Sequence, residues 1–341
     1  MSHGVVKYVV VGLVGLVLAF VLRELHQPLL ALALGLLAIV GWGEVAVYGV
    51  ELAAEALGLR GYSAGVQVNS LAVLPELFLA LSIGIKGVEA GVPKLVELSV
   101  LSVMVSAAFN MVVLGLVVLL VRGDGVPTPS EALRIELPLL RATIASIAVL
   151  VLYAIVEATY TDKIPRDPLG VSVILLLFYL FYMGQVVRSG RQVEVARKGW
   201  KWLPILMASI LALIAASEVL ASVIEEFVHD MGVGVAGLVV GVVSSSPEAA
   251  LNILAATRGL AVTAAFGLIA ATSTAILLMF PVLGIVLPLP LDQYIVYVLG
   301  VLGASLWLVK RSMVNEYKID RNEALLILLF QASALLLLAK V

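Results

Sequence analysis

Apolar runs of roughly 18 to 30 residues follow one another along almost the whole chain, near 5–22, 28–57, 62–87, 95–121, 136–160, 169–187, 201–228, 231–257, 260–288, 290–310 and 322–340. Most are long enough to cross a hydrocarbon layer of about 30 Å as a helix. In lipid, every backbone polar group must be satisfied within the protein, which leaves helices or a closed barrel as the spanning structures. Runs of this length predict an all-α membrane protein of about eleven transmembrane helices. Composition agrees: 62% of the 341 residues are hydrophobic, 13% are charged, and the mean hydropathy is +1.15, more apolar than a soluble surface needs. The second run, about 30 residues long, should be strongly tilted or should project its Glu-bearing end beyond the core. The first, preceded by Lys7, has the outline of a signal peptide. Ten further spans follow it without a clear small-residue cleavage site, so it is read as a helix of the mature protein.

Several function classes are disfavoured by what the sequence contains. It has no cysteine, and its three histidines (His3, His26 and His229) are scattered, so thiolate sites and a zinc-like cluster are not expected. There is no P-loop, no HExxH and no Ser/His pairing suited to hydrolysis. An enzyme or an ATP-driven pump is therefore not expected, nor is a resident cofactor. The expected partners are the lipid bilayer and transported cations, with no nucleic acid and no obligate protein partner.

The 21 basic residues set the orientation. Alternating the loops puts 15 of them on the side of the N-terminus and 6 on the other, which predicts a cytoplasmic N-terminus and an extracellular C-terminus in a multi-pass protein of the cell membrane. The most basic loop, RSGRQVEVARKGWK from Arg188 to Lys201, is then cytoplasmic. It is read first as a topology anchor and otherwise as a contact for anionic lipid.

Two of the apolar runs carry the same costly pair, Pro75-Glu76 and Pro247-Glu248. A charged side chain at the bilayer centre costs roughly 2.5 to 3.5 kcal/mol on insertion scales, and such residues mark ion pathways. Each proline lacks an N–H and clashes with the carbonyl four residues back, which should free the Leu71 and Val243 carbonyls. The surroundings of the two pairs also match. Ala64-Gly65 and Ala236-Gly237 precede them in register, Lys86-Gly87 and Arg258-Gly259 follow, and Glu44 and Glu51 correspond to Glu218 and Glu225. The offset from Glu76 to Glu248 is 172 residues, about half the chain. This predicts a duplication: an extra N-terminal helix in 1–27, a first repeat in 28–187, a basic linker in 188–200 and a second repeat in 201–341. Five spans per repeat invert the second copy, and inverted repeats place their substrate site near the midplane where equivalent helices meet.

Oxygen-bearing side chains lie around both pairs. Ser102, Ser106 and Asn110 recur every four residues and share a helix face. Ser244, Ser245 and Ser246 precede Pro247, Asn252 lies one turn past Glu248, Thr272, Ser273 and Thr274 cluster in the next helix, and Asn69 shares the face of Glu76. Hard cations such as Ca²⁺ take six to eight oxygens from carboxylates, carbonyls and waters, and two glutamates balance one divalent charge. The candidate cation ligands are Glu76, Glu248, Asn110, Ser106, Ser244, Ser245, Asn69, Thr272 and Ser273. The hydroxyls also have a packing reading, because Ser and Thr in membrane helices often bond their own backbone or a neighbouring helix. Glu44, Glu51, Glu55, Glu218, Glu225 and Glu226, with Glu157 and Arg141, are read as helix-end or interfacial charges.

On these residues the chain resembles the cation/calcium exchanger superfamily. The likeness covers 40–121 and 212–288. VSSSPE (243–248) is close to the Gly-Thr-Ser-Leu-Pro-Glu type motif of that family, with Ser244 for the Thr and Ser245 for the Ser. LAVLPE (71–76) keeps the Leu, Pro and Glu but has Ala72 and Val73 for Thr and Ser, while Ser106 and Asn110 reproduce the spacing of the next helix. In the second repeat Ala271 and Ala275 stand where Ser and Asp or Asn are expected, with Thr272 or Ser273 as substitutes. The resemblance implies alternating access at one shared site, with Ca²⁺ in one phase and Na⁺ or H⁺ in the other. It also implies that 28–57 and 201–228 slide past the Pro-Glu core. The Pro-Glu form of both motifs resembles the sodium-coupled branch; the missing side-chain oxygens and the extra helix resemble the proton-coupled one. Exchange of another divalent cation or of K⁺, a channel and a non-transporting relative are the alternatives.

Overall fold

A computed structural model describes residues 3–56, 73–121, 123–161, 169–190, 200 and 202–340. Each of the eleven apolar runs contains a helix among the described residues. In chain order these are α1 (His3–Glu24), α2 (Pro28–Ala56), α3 (Leu74–Glu89), α4 (Pro93–Leu120), α5 (Ser130–Thr161), α6 (Leu169–Gly190), α7 (Trp202–Met231) and α8 (Val233–Thr257). Then come α9, which begins as Ala261–Thr274 and passes through a π-helical turn (Ala275–Met279) into Phe280–Val286, and finally α10 (Gln293–Asn315) and α11 (Arg321–Leu338). Among the described residues, eight are long and apolar enough to cross a membrane by length and composition, and Leu169–Gln185 and Val233–Ser246 are shorter apolar helices.

Helix ends sit where local chemistry puts them. Pro93 opens α4 in the first turn, where its missing N–H is not needed. Asp292 caps α10 by accepting from the Tyr294 and Ile295 N–H groups. Asp320 and Glu323 form a reciprocal capping box at the start of α11. Glu316 comes close to this pair, but the two carboxylates of the box are engaged in holding the helix end.

α4 and α9 form the centre of the bundle. In each, 72% of the most apolar window is buried inside the protein, against 22% for α1. The packing pattern is that of two five-helix units related by a two-fold axis: α2 packs on α7, α3 meets α8, α4 packs on α9, and α5 packs on α10. The off-axis contact of α4 with α11 is matched by that of α9 with α6. α1 stands outside this scheme, locked onto α2. A Cβ on Gly41 would come within 2.6 Å of the Gly12 backbone, and one on Gly15 within 2.9 Å of the Leu34 carbonyl.

Loop alternation is visible at one end of the bundle. The loop after α4 and the loop after α10 pair as two short antiparallel strands, β1 (Gly125–Pro127) and β2 (Lys318–Asp320). Four helices precede the first of these loops and ten the second, so their pairing agrees with an alternation that places both on one side. The basic loop 191–199 and Asn69 lie outside the described residues.

Candidate functional site

Glu76 enters the bundle in the first turn of α3, just after Pro75. Gly43 of α2 leaves room for that proline, since a Cβ there would lie 2.9 Å from the Pro75 ring. The Glu76 side chain is 7% exposed and is bonded from two other helices. From α4, the Ser106 hydroxyl donates to Oε2 at 2.5 Å. From α8, the Ser245 hydroxyl lies 2.7 Å from Oε1, 2.8 Å from the Ser106 Oγ and 2.8 Å from the Gly241 carbonyl oxygen. A serine has one proton to give. Ser245 can therefore serve only one of these oxygens at a time, and its choice depends on whether Glu76 and Ser106 present a lone pair or a proton.

The approach of α8 to α4 makes this junction possible. Gly237, Gly241 and Ser245 recur every four residues and form one stripe along α8. A Cβ at 241 would fall 2.7 Å from the Ser102 carbonyl oxygen and 2.7 Å from the Val105 Cβ; one at 237 would fall 3.1 Å from the Leu101 Cβ. The glycines let the backbones close up. Ser245, one turn further on, is thereby carried onto Ser106 and Glu76.

Glu248 follows Ser245 by three residues on the same side of α8. It is partly buried, and its Oε1 is enclosed without a donor among the described residues. Asn110 lies one turn along α4 from Ser106, 1% exposed, and neither its carbonyl nor its amide group has a partner among the described residues. Glu76, Ser106 and Ser245 thus come together from three helices of the two halves, with Glu248 one turn from Ser245 along α8 and Asn110 on the face that Ser106 uses.

The remaining candidates are placed differently. Ser244 is turned back on the Gly241 carbonyl at 3.1 Å, and Thr272 on the Leu268 carbonyl at 2.9 Å. Ser273 is fully buried in α9 with its hydroxyl unpartnered among the described residues. Ser102, Ser246 and Thr274 bond backbone carbonyls of their own helices, and the Asn252 amide donates to the Glu248 carbonyl. The Leu71 carbonyl lies outside the described residues. α8 continues as a helix through Pro247. Two features went unread in the sequence: Gly241 as the point of closest approach, signalled by Gly237-x-x-x-Gly241, and the ion pair between Lys86 and Glu225 at 2.8 Å.

If Asn110 faces a ligand and not another side chain, replacing it with the similarly sized but apolar leucine should leave stability unchanged or raised, because an unpaired buried amide costs about 1–3 kcal/mol. Cation affinity should fall about tenfold, the equivalent of roughly 1.4 kcal/mol. Thermal unfolding in detergent and Ca²⁺ titration of Asn110→Leu check both halves; a loss of stability with affinity intact would make Asn110 a packing residue.

Comparison with known proteins bears on this geometry. Residues 27–187 match the sodium/calcium exchanger protein family. No curated protein matches the chain by sequence. Among solved structures, the H⁺/Ca²⁺ exchanger CAX superposes with a TM-score of 0.73 at 13% identity, covering 98% of this chain and 90% of that one. The Ca²⁺/H⁺ antiporter protein YfkE gives 0.66 at 16% identity, covering 98% and 100%. The sodium-calcium exchanger NCX_Mj gives 0.57 at 16% identity, covering 98% of each chain. At such identities the structural likeness speaks for the fold.

Proposed function

We propose that this chain, of which residues 27–187 match the sodium/calcium exchanger protein family, is a secondary antiporter moving Ca²⁺ across the membrane against Na⁺ at one site between its two halves. The observation that carries this reading is the junction at Glu76: a buried carboxylate held by one hydroxyl from α4 and one from α8, with Glu248 one turn beyond the latter on α8. Two glutamates match a divalent cation in charge, and the Ser106, Ser245 and Asn110 oxygens are of the hard type that Ca²⁺ takes. One ion shared between the halves couples their movement, because it is released only when the halves part. The repeats are read as 28–187 and 201–341, with 1–27 as an accessory helix and 188–200 as a cytoplasmic linker. The N-terminus is assigned to the cytoplasm of the cell on the basis of its loop charge.

A second reading, proton coupling, is favoured by one specific observation. Val73, Ala271 and Ala275 are 1%, 0% and 1% exposed, so apolar side chains fill positions where sodium cages would want oxygens. Two carboxylates that each take a proton would suffice for electroneutral exchange of two H⁺ for one Ca²⁺.

Purified protein in liposomes decides between them. Uptake of ⁴⁵Ca²⁺ under an imposed Na⁺ gradient, with none under a pH gradient, is the expected result. Uptake under the pH gradient alone would replace Na⁺ by H⁺ in the mechanism, and uptake under neither would remove Ca²⁺ exchange altogether.

A further inference from the structure

We infer that Ser217 of α7 lends its hydroxyl to the cation held at Glu76. Resting on the exchange reading above, this brings a fourth helix into the site and gives α7 a direct contact with the ion.

Serines in membrane helices ordinarily give their proton to a carbonyl three or four residues back. Ser99, Ser209, Ser222 and Ser244 do so at 2.7–3.1 Å. Ser217 is 0% exposed, and its hydroxyl has no hydrogen-bond partner among the described residues. A buried hydroxyl without a partner is costly. Close packing gives no reason to keep it, because Ala216 and Ala221 are buried on the same side of α7 without a polar atom. Ser106, the α4 hydroxyl that reaches Glu76, likewise gives its proton away from its own helix.

Contacts on both sides aim Ser217 into the wedge between α2 and α3. With about 100° per residue around α7, it lies about 60° from Leu220, which a Cβ on Gly35 of α2 would strike. On the other side, about 80° away, is Glu225, which is bonded to Lys86 of α3. In that wedge Pro75 packs on Gly43 of α2, which places the first turn of α3 there. The level along the axis follows from the same contacts. α3 and α7 are four crossings apart and run the same way; ten residues back from Lys86 is Glu76, and ten back from Glu225 is Ala215. α2 runs against α7, with Gly35 at Leu220 and Gly49 at Leu206, which sets Gly43 near the level of Ala212. By either count Glu76 stands about two to four residues from Ser217, within about one turn. The Ser217 Cβ tilts toward the N-terminal end of α7, and so toward Glu76.

A hydroxyl oxygen is of the hard type that Ca²⁺ gathers six to eight of. One supplied by α7 ties that helix to the presence of the ion, since the bond is lost when the ion leaves.

The chain has no cysteine, so a single thiol can report on the site. Thiolate favours soft metals, whereas oxygens suit hard ones. Purified Ser217→Cys protein should therefore bind Cd²⁺ with the ultraviolet absorption band of a cadmium thiolate, and Ca²⁺ should displace it. Adding Glu76→Gln should weaken this Cd²⁺ binding about tenfold or more. Ser209→Cys, two turns away on the same helix, should show no such band. In protein that keeps its size-exclusion profile, a band absent from Ser217→Cys, indifferent to Glu76→Gln or shared with Ser209→Cys overturns the role given to Ser217. Ser217→Ala is the second arm: its unfolding temperature should be unchanged or raised, and its Ca²⁺ affinity about three- to tenfold lower. Unchanged affinity also overturns that role. Neither readout needs transport, so wild-type protein that bound Ca²⁺ without exchanging it would sink the exchange reading and still leave Ser217 decided.

Discussion

Glu76→Gln and Glu248→Gln are each expected to abolish Ca²⁺ exchange while leaving the fold in place. Glutamine keeps the size of glutamate and can both accept from one serine and donate to the other, so the bonds that Ser106 and Ser245 now make to Glu76 have replacements. What glutamine cannot replace is charge. A divalent cation between two carboxylates loses half of its compensation, and removing one partner from a buried ionic set costs about 3–5 kcal/mol. At about 1.4 kcal/mol per decade, that is a loss of roughly 10² to 10³ in affinity or more. Initial rates of ⁴⁵Ca²⁺ uptake in liposomes, with thermal unfolding run in parallel, check the two statements separately. A variant that keeps its unfolding temperature and more than a tenth of the exchange rate would show that the carboxylate in question is structural. The Glu76 variant also tests the junction between the halves, because Glu76 is the residue that both α4 and α8 hold.

Much of this was legible in the sequence for simple physical reasons. Hydrocarbon thickness dictates run length, so the runs could be read and, where the residues are described, most helix ends placed within a few residues; α5, for example, starts at Ser130 and not near 136 because its first turns are more polar. The two glutamates stood out because an acid in an apolar run is costly. The partners of Glu76 were harder to read. Ser244 and Ser245 are neighbours in sequence, but successive residues point about 100° apart around a helix, and only Ser245 continues the glycine stripe that faces α4. That stripe was present in the sequence as small residues every four positions, and it would have separated the two serines. The π-helical turn in α9 begins at Ala275 in an alanine-rich stretch with no local signal, and just before it Thr272 is back-bonded and Ser273 buried without a mark in the sequence to tell them apart. The ion pair of Lys86 with Glu225 depends on how α7 lies across α3, and no single-helix pattern encodes that.

The close approach of α8 to α4 leads to the second large effect. Gly241→Val is expected to lower exchange about 100-fold, and Gly237→Ala by no more than about threefold. A side chain at 241 would begin 2.7 Å from a backbone carbonyl oxygen and 2.7 Å from the Val105 Cβ, well inside the 3.5–4.0 Å at which carbon atoms rest. Neither neighbour is the loose end of a flexible side chain, so α8 itself must move, and overpacking of this kind costs typically 1–3 kcal/mol. Ser245 is one turn away on the same stripe. Moving it outward by about 1 Å would stretch its 2.7 Å contact with Glu76 beyond the range of a hydrogen bond, and misplacement on that scale can lower a rate about 100-fold where geometry is decisive. At 237 the new methyl would meet the Leu101 Cβ at 3.1 Å, and a shift of a few tenths of an ångström there lies two turns from Ser245. Uptake rates of the two variants, each normalised to folded protein by size-exclusion profile, check the ordering. If Gly237→Ala and Gly241→Val lose exchange equally, the stripe is only a packing surface. If Gly241→Val retains exchange with its fold intact, the Ser245 hydroxyl does not need to reach Glu76 for the ion to bind.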